Sequence, residues 1–208
     1  MLLAIDTSSG TSVAVVDSAG AVRSERTETD TMRHAEVVGR LIQEALEAAD
    51  VAPGGIEAVA VGMGPGPFTG LRVGIAAARA FALGRGVPTL PVVSHDAIAL
   101  AALRHGRAAG FLVVTDARRR ELYWSAYDGL DDQGLPVRLA GPGLDKPPAL
   151  PHPELPRLEA ESVSAGELGL LDRHDGVEVD RLRVAEHGLA HAVTRLGPAD
   201  SVTSGERR

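Results

Sequence analysis

Gly62-Met63-Gly64-Pro65-Gly66-Pro67-Phe68-Thr69-Gly70-Leu71-Arg72-Val73-Gly74 is the stretch on which the fold of this chain turns. It follows a β-branched run containing Val59 and Val61. It opens a segment so rich in Ala and Gly that a helix there must pack closely. A strand, a glycine turn and a helix in succession suggest a ligand at a helix N-terminus, where free N–H groups face outward. The nucleotide spellings fail, however. There is no G-x-x-x-x-G-K-[ST], and the sole lysine, Lys146, lies far downstream. G-x-G-x-x-G fails as well, because from Gly62 or Gly64 the sixth position is Pro67 or Thr69. The glycines need another reason.

Upstream, alternation predicts strands over Leu2–Thr7, Ser12–Asp17 and Val22–Thr27, joined by tight turns at Ser8-Ser9-Gly10 and Ala19-Gly20. A helix from about His34 to Ala49 leads to the strand Ala58–Gly62. The helix that follows the glycine turn runs from Thr69 to about Arg85, stops at Gly86-Val87-Pro88, and gives way to a strand over Thr89–Val93. The order βββαβαβ implies an α/β fold with a mixed sheet and helices on its faces. It resembles the RNase H-like half of the sugar kinase, Hsp70 and actin superfamily. Downstream, a helix from Ser94 to about Leu103 and strands at Phe111–Asp116 and Glu121–Tyr127 are consistent with a second, degenerate copy. Beyond Gly141, six prolines between Pro142 and Pro156 read as an irregular connection. Helices are expected near Val163–Leu171 and Ala185–Arg195, and a disordered tail over Pro198–Arg208. The expected division is a first half at 1–104, a smaller second half at 105–197 and the tail at 198–208.

The 208 residues are 44% hydrophobic and 24% charged, which suits a globular core and offers no apolar run of membrane-spanning length. Met1-Leu2-Leu3-Ala4-Ile5 lacks the basic region and cleavage site of a signal peptide, so it reads as a first strand and the expected location is the cytoplasm. Cysteine is absent, which excludes disulfides, thiolate nucleophiles and Cys-based metal sites. The net charge is −7 and both halves are acidic, so the chain lacks the broad positive surface of a protein that grips nucleic acid by itself. One basic cluster, Arg118-Arg119-Arg120, reads as a solvated turn at a strand end.

Two helices carry more apolar surface than one sheet needs. In the first, Val37, Val38, Leu41, Ile42, Ala45, Leu46, Ala48 and Ala49 fill about half of the helical wheel. In the second, Arg72 and Arg79 are the only charged residues between Leu71 and Gly84, with Ala and Gly over most of the remainder. Either intramolecular packing covers both helices, or they form an interface with a partner as a helical bundle. The second alternative assigns the interface to Val38, Leu41, Ile42, Ala45, Phe68, Arg72, Ile75, Ala78 and Arg79.

Four motifs occur in order along the chain: Leu2-Leu3-Ala4-Ile5-Asp6-Thr7-Ser8, then His34-Ala35-Glu36, then the segment from Gly64 to Gly74, and lastly Asp116-Ala117-Arg118 with Glu121, Tyr123 and Trp124. Together they resemble the TsaB family, over roughly Met1 to Tyr127. The resemblance implies a non-catalytic subunit in the synthesis of threonylcarbamoyladenosine at position 37 of tRNAs. It implies a heterodimer with a catalytic paralogue through the two helices above, an ATPase subunit docked on the pair, and a homodimer when the paralogue is missing. Contact with tRNA would come only through the complex, and no membrane is involved. Two features depart from the family pattern. Pro67 stands where Ser is usual, and no Tyr-x-Arg strand appears in Asp200–Arg208.

Chemistry of the chain's own is sparse in the sequence. The paralogue's pair of metal-binding histidines is matched by His95 alone, since Ala99 holds the second position. His34 is followed one turn later by Val38, and His187 and His191 lack the glutamate of H-E-x-x-H, Gly188 standing in that motif. No catalytic residue, metal or cofactor is expected. Asp6 and Asp116, each at a strand end, sit where the superfamily's ATPases hold magnesium and phosphate, and Thr7-Ser8-Ser9-Gly10 could supply hydroxyl and N–H donors. Asp6, Thr7, Ser8 and Asp116 are therefore the candidates for a weak, vestigial nucleotide site. Strand-end turn formation is their alternative role. The rival functions are a small kinase or metallopeptidase-like hydrolase of the same superfamily, and a stand-alone homodimeric binding module.

Overall fold

Strand alternation at the N-terminus produces a three-stranded antiparallel meander, β1 (Leu2–Asp6), β2 (Thr11–Val16) and β3 (Val22–Glu28). The computed structural model describes residues 1–30 and 33–173. Helix α1 (His34–Ala48) crosses over to β4 (Ala58–Gly62), which lies parallel to β1, and α2 (Phe68–Arg85) crosses to β5 (Thr89–Val92), parallel to β4. The order is β3-β2-β1-β4-β5. Odd and even residues of β1 point to opposite faces, and all five are buried, because each face is covered.

Leu3, Ile5, Val13, Val15, Val59 and Val61 face α1 and α2. Val37, Val38, Leu41, Ala45 and Leu46 recur at helical spacing and bury one stripe of α1 there, each larger side chain stabilising the fold by about 1.5–3 kcal/mol. Helix α2 buries Gly70, Gly74, Ala78 and Ala82, a repeat of four that brings its axis close to the sheet, and it ends where Gly86 takes the left-handed conformation at φ 66°.

The chain then builds α3 (Ser94–Arg104) and a second sheet from β6 (Phe111–Asp116), β7 (Leu122–Leu130), β8 (Pro136–Asp145) and β9 (Arg157–Glu159), followed by α4 (Ala165–Arg173). Its order, β8-β7-β6-β9, repeats the meander and parallel fourth strand of the first sheet. The irregular connection expected beyond Gly141 is in part strand. β8 was illegible because Pro136, Gly141, Pro142 and Gly143 fall in it, and an edge strand tolerates them. Gly143 has a positive reason to be there. A Cβ on it would lie 2.3 Å from the Trp124 indole, which crosses from β7 and donates a hydrogen bond to Asp145 at 2.9 Å.

The expected boundary at residue 104 does not separate two packing units. Leu2, Ala4, Ala14, Val16 and Ala60 of the first sheet share one core with Ile98 and Leu100 of α3, with Phe111, Val113 and Tyr127 of the second sheet, and with Leu168, Leu170 and Leu171 of α4. Helix α4, late in the chain, packs on the first sheet, whereas α3, early in it, packs on the second. The helix expected at Ala185–Arg195, the tail, and His187 with His191 lie outside the described residues.

Candidate functional site

The turn after β1 and the glycine loop after β4 are built against each other. Asp6 is buried at the end of β1. Its Oδ1 accepts the Ser8 hydroxyl at 2.6 Å and the Ser8 N–H at 2.8 Å, and its Oδ2 accepts the Ser94 hydroxyl at 2.5 Å. Burial holds the Asp6 carboxyl above its usual range, and these hydrogen bonds oppose that rise without cancelling it. Ser94 Oγ in turn accepts the Gly64 N–H at 3.1 Å, and the Ser94 N–H donates to the Gly64 carbonyl at 2.7 Å. Asp6 thus ties three segments together: β1, the glycine loop and the start of α3.

The glycine spacing now has its physical reason. A Cβ on Gly62 would fall 1.8 Å from Asp6 Oδ2, and one on Gly74 would fall 2.2 Å from Thr7 Oγ1. The loop and the first turns of α2 lie directly on the β1–β2 turn, with no room for a side chain between. Thr7 Oγ1 donates to the Gly70 carbonyl at 2.8 Å, and the His34 ring bonds Thr11 Oγ1 at 2.7 Å. Burial holds His34 below its usual range, and the nearby Arg118 guanidinium adds to this against the opposing Asp6 and Asp30 carboxylates.

These residues do not fit a nucleotide phosphate. Both Asp6 oxygens are taken by protein donors, and the Thr7 and Ser8 hydroxyls are donated inward rather than presented to a ligand. Asp116, the fourth candidate, is exposed at the end of β6, where it accepts the Arg118 N–H at 2.9 Å. The geometry favours turn formation and packing over phosphate binding for Asp6, Thr7 and Ser8, and Asp116 shapes the turn after β6. His95 is likewise a core residue. It is 0% exposed between α3 and the second sheet, with Nδ1 2.9 Å from Ser125 Oγ and Nε2 3.0 Å from Thr115 Oγ1. Burial, with a smaller effect from Arg138, depresses its pKa to about 3, so the ring is neutral. Among the described residues, no three His, Asp or Glu side chains converge as a metal site.

Sequence reasoning missed the polar network beside His95. The Tyr127 hydroxyl donates to Asp96 Oδ1 at 2.6 Å, and Arg138 Nε lies 3.7 Å from the same atom. Ser125 and Tyr127, two apart on β7, are the available signal: polar groups on the face of a strand that points into a core.

The expected interface residues separate into two groups. Val38, Leu41, Ala45 and Ala78 are buried in the chain's own core and are not available to a partner. The apolar stripe of α1 and the small-residue stripe of α2 both serve the first sheet. Ile42 and Ile75 are half-buried, and Arg72, Arg79 and Phe68 are exposed. The outer face of α2 carries Phe68 at 72% exposure and Leu83 at 84%, with exposed Ala76 and Ala80 between them. Beside it, an open groove of about 590 Å³ runs between α1 and α2, lined by Ile42, Leu46, Val51 and Phe81.

Comparison with known proteins agrees with this architecture. The family model described as "TsaD: tRNA N6-adenosine threonylcarbamoyltransferase" matches residues 22–175. The tRNA threonylcarbamoyladenosine biosynthesis protein TsaB of Escherichia coli is 31% identical over 165 residues, covering 79% of this chain and 70% of that protein. This chain belongs to the TsaB family. An uncharacterized protein of Mycobacterium tuberculosis is 44% identical over 131 residues, 62% of this chain; the match spans only 59% of that relative. Among solved structures, YeaZ from Pseudomonas aeruginosa superimposes with a TM-score of 0.71 at 27% identity, over 82% of this chain and 89% of that one. The two-sheet α/β fold is therefore that of the family. Among the described residues, no helix is long and apolar enough to cross a membrane.

Proposed function

We propose that this chain takes part in making threonylcarbamoyladenosine in tRNA as a docking subunit. It engages a catalytic paralogue through the outer face of α2 and the adjoining groove, and supplies no reacting group itself. The supporting observation is the pairing of two large exposed apolar side chains, Phe68 and Leu83, at opposite ends of one helix face whose middle is Ala76 and Ala80. Large exposed apolar side chains flanking a small-residue surface suit close helix-to-helix packing. Arg72 lies 5.3 Å from the centre of the Phe68 ring and can remain on the rim of such an interface. A homodimer through the same face would form when the paralogue is missing, and an ATPase subunit would dock on the assembled pair.

The test is capture of the purified paralogue by variants of the full chain, with threonylcarbamoyl transfer to tRNA as a second readout. Ala80→Arg and Leu83→Asp are expected to abolish both while leaving the thermal transition of the isolated chain unchanged. Ala78→Arg is expected to unfold the chain instead, because Ala78 is buried against the sheet. Undiminished capture by the Ala80 and Leu83 variants would remove this reading.

A further inference from the structure

The hairpin between β6 and β7 is unusual in its backbone. Arg118, Arg119 and Arg120 have φ of 63°, 52° and 62°, three successive non-glycine residues in the left-handed region. That region crowds Cβ against the following carbonyl, which is why L-residues seldom enter it and almost never in a row. The turn is held by Ala117 N–H to the Glu121 carbonyl at 3.0 Å and by Glu121 N–H to the Arg118 carbonyl at 2.9 Å, while Asp116 caps the Arg118 N–H. All three arginines are exposed. Arg119 and Arg120 make no side-chain hydrogen bond or ion pair with any described residue. Packing does not explain Arg119 and Arg120, and glycine would satisfy the backbone better at both positions.

We infer that the Arg118–Arg120 hairpin is a direct contact for the phosphate backbone of RNA. Successive residues of a left-handed turn are rotated by about 100°, so the three side chains fan around the tip instead of lining up. One carboxylate cannot reach all three, whereas a chain of phosphates following the tip meets them in turn. The flanking acids, Asp116 and Glu121, sit at the base of the hairpin. The net charge of −7 repels a polyanion overall, so contact between this chain and RNA depends on a local basic tip. The inference rests on the tRNA role proposed above and extends it, since the chain itself would touch the RNA.

The experiment measures binding of a fluorescein-labelled RNA anticodon stem-loop to the full chain by anisotropy across a salt series. Arg119→Ala/Arg120→Ala is expected to weaken binding about tenfold at about 50 mM salt and to lower the slope of log affinity against log salt by about 0.7 for each arginine removed. Arg119→Gly/Arg120→Gly should lose as much while relieving the backbone, which separates loss of charge from misfolding. Arg119→Lys/Arg120→Lys should retain most of the affinity, because phosphate accepts an ammonium point charge. Unchanged affinity and slope in the alanine and glycine variants would overturn the inference. So would a wild-type chain that shows no salt-dependent RNA binding. Loss of binding to polyglutamate with RNA binding intact would also overturn it, in favour of an acidic protein partner. Paralogue capture by the arginine variants is expected to remain normal, so failure here is distinguishable from failure of the docking role.

Discussion

At the scale of single residues, this protein uses polar groups as internal fasteners. Asp6 is the clearest case, with three donors from two segments converging on one buried carboxylate. His95 is the corresponding fastener of the second sheet, and it makes stability depend on pH. The unfolded chain takes up a proton on this imidazole near pH 6.5. The folded chain does so only near pH 3. Between those values the unfolded state binds more protons, so stability rises with pH there and is complete above about pH 6.5. In urea titrations, the contribution of His95 to the unfolding free energy is expected to fall on acidification through this window, by up to about 1.4 kcal/mol per pH unit. His95→Gln should be less stable at neutral pH yet show a slope smaller by one proton, and the difference between the two proteins cancels the opposite contribution of Asp6. Equal slopes would show that His95 is protonated in the folded protein.

At the scale of elements, α2 shows how composition misleads when direction is unknown. An Ala- and Gly-rich helix invites a partner on any side, yet Gly70, Gly74, Ala78 and Ala82 all turn inward. Their smallness serves contact with Thr7 and β4, and the surface left for a partner is defined by Phe68, Ala76, Ala80 and Leu83. Gly74→Ala is therefore expected to cost about 1–3 kcal/mol in a denaturant titration, since Thr7 must move. Gly39→Ala in α1 meets nothing within 4 Å and should be neutral or stabilising by up to about 1 kcal/mol. Should the two substitutions behave alike, the close contact between α2 and the β1–β2 turn would be disproved. The apolar half of the α1 wheel reflects the sheet beneath it together with the groove wall at Ile42 and Leu46.

At the scale of the whole molecule, the two sheets are joined by exchanged helices, and α4 is held from a distance. Glu25 on β3 accepts Ser12 Oγ at 2.8 Å and Ser164 Oγ at 3.1 Å, and Ser12 Oγ accepts the Ala165 N–H at 3.1 Å. Side chains more than a hundred positions earlier in the chain thus satisfy the first turn of α4. Arg104 of α3 adds an ion pair with Glu167 at 3.1 Å. Glu25→Ala is expected to destabilise the protein by about 1–3 kcal/mol and to raise amide exchange in α4 before it does so in β1 or β4. Uniform exchange across these elements would indicate that α4 does not depend on this cap.

Local pattern alone sufficed for the meander, for α1, α2 and α3, and for the strands around the glycine loop, because period and punctuation are properties of neighbouring residues. It also brought out the family motifs, which lie in the same contiguous segments. Hidden from it were β8 and β9, the cap on α4, the Tyr127–Asp96–Arg138 network and the inward turn of the small residues in α2. Each of these depends on a partner remote in sequence: Trp124 lying over Gly143, Glu25 reaching Ser164, Thr7 pressing on Gly74. Periodicity specifies which residues share a face. What that face meets is decided only when the chain closes on itself, and there the demands of close packing and of satisfying every buried polar group choose between a core and an interface.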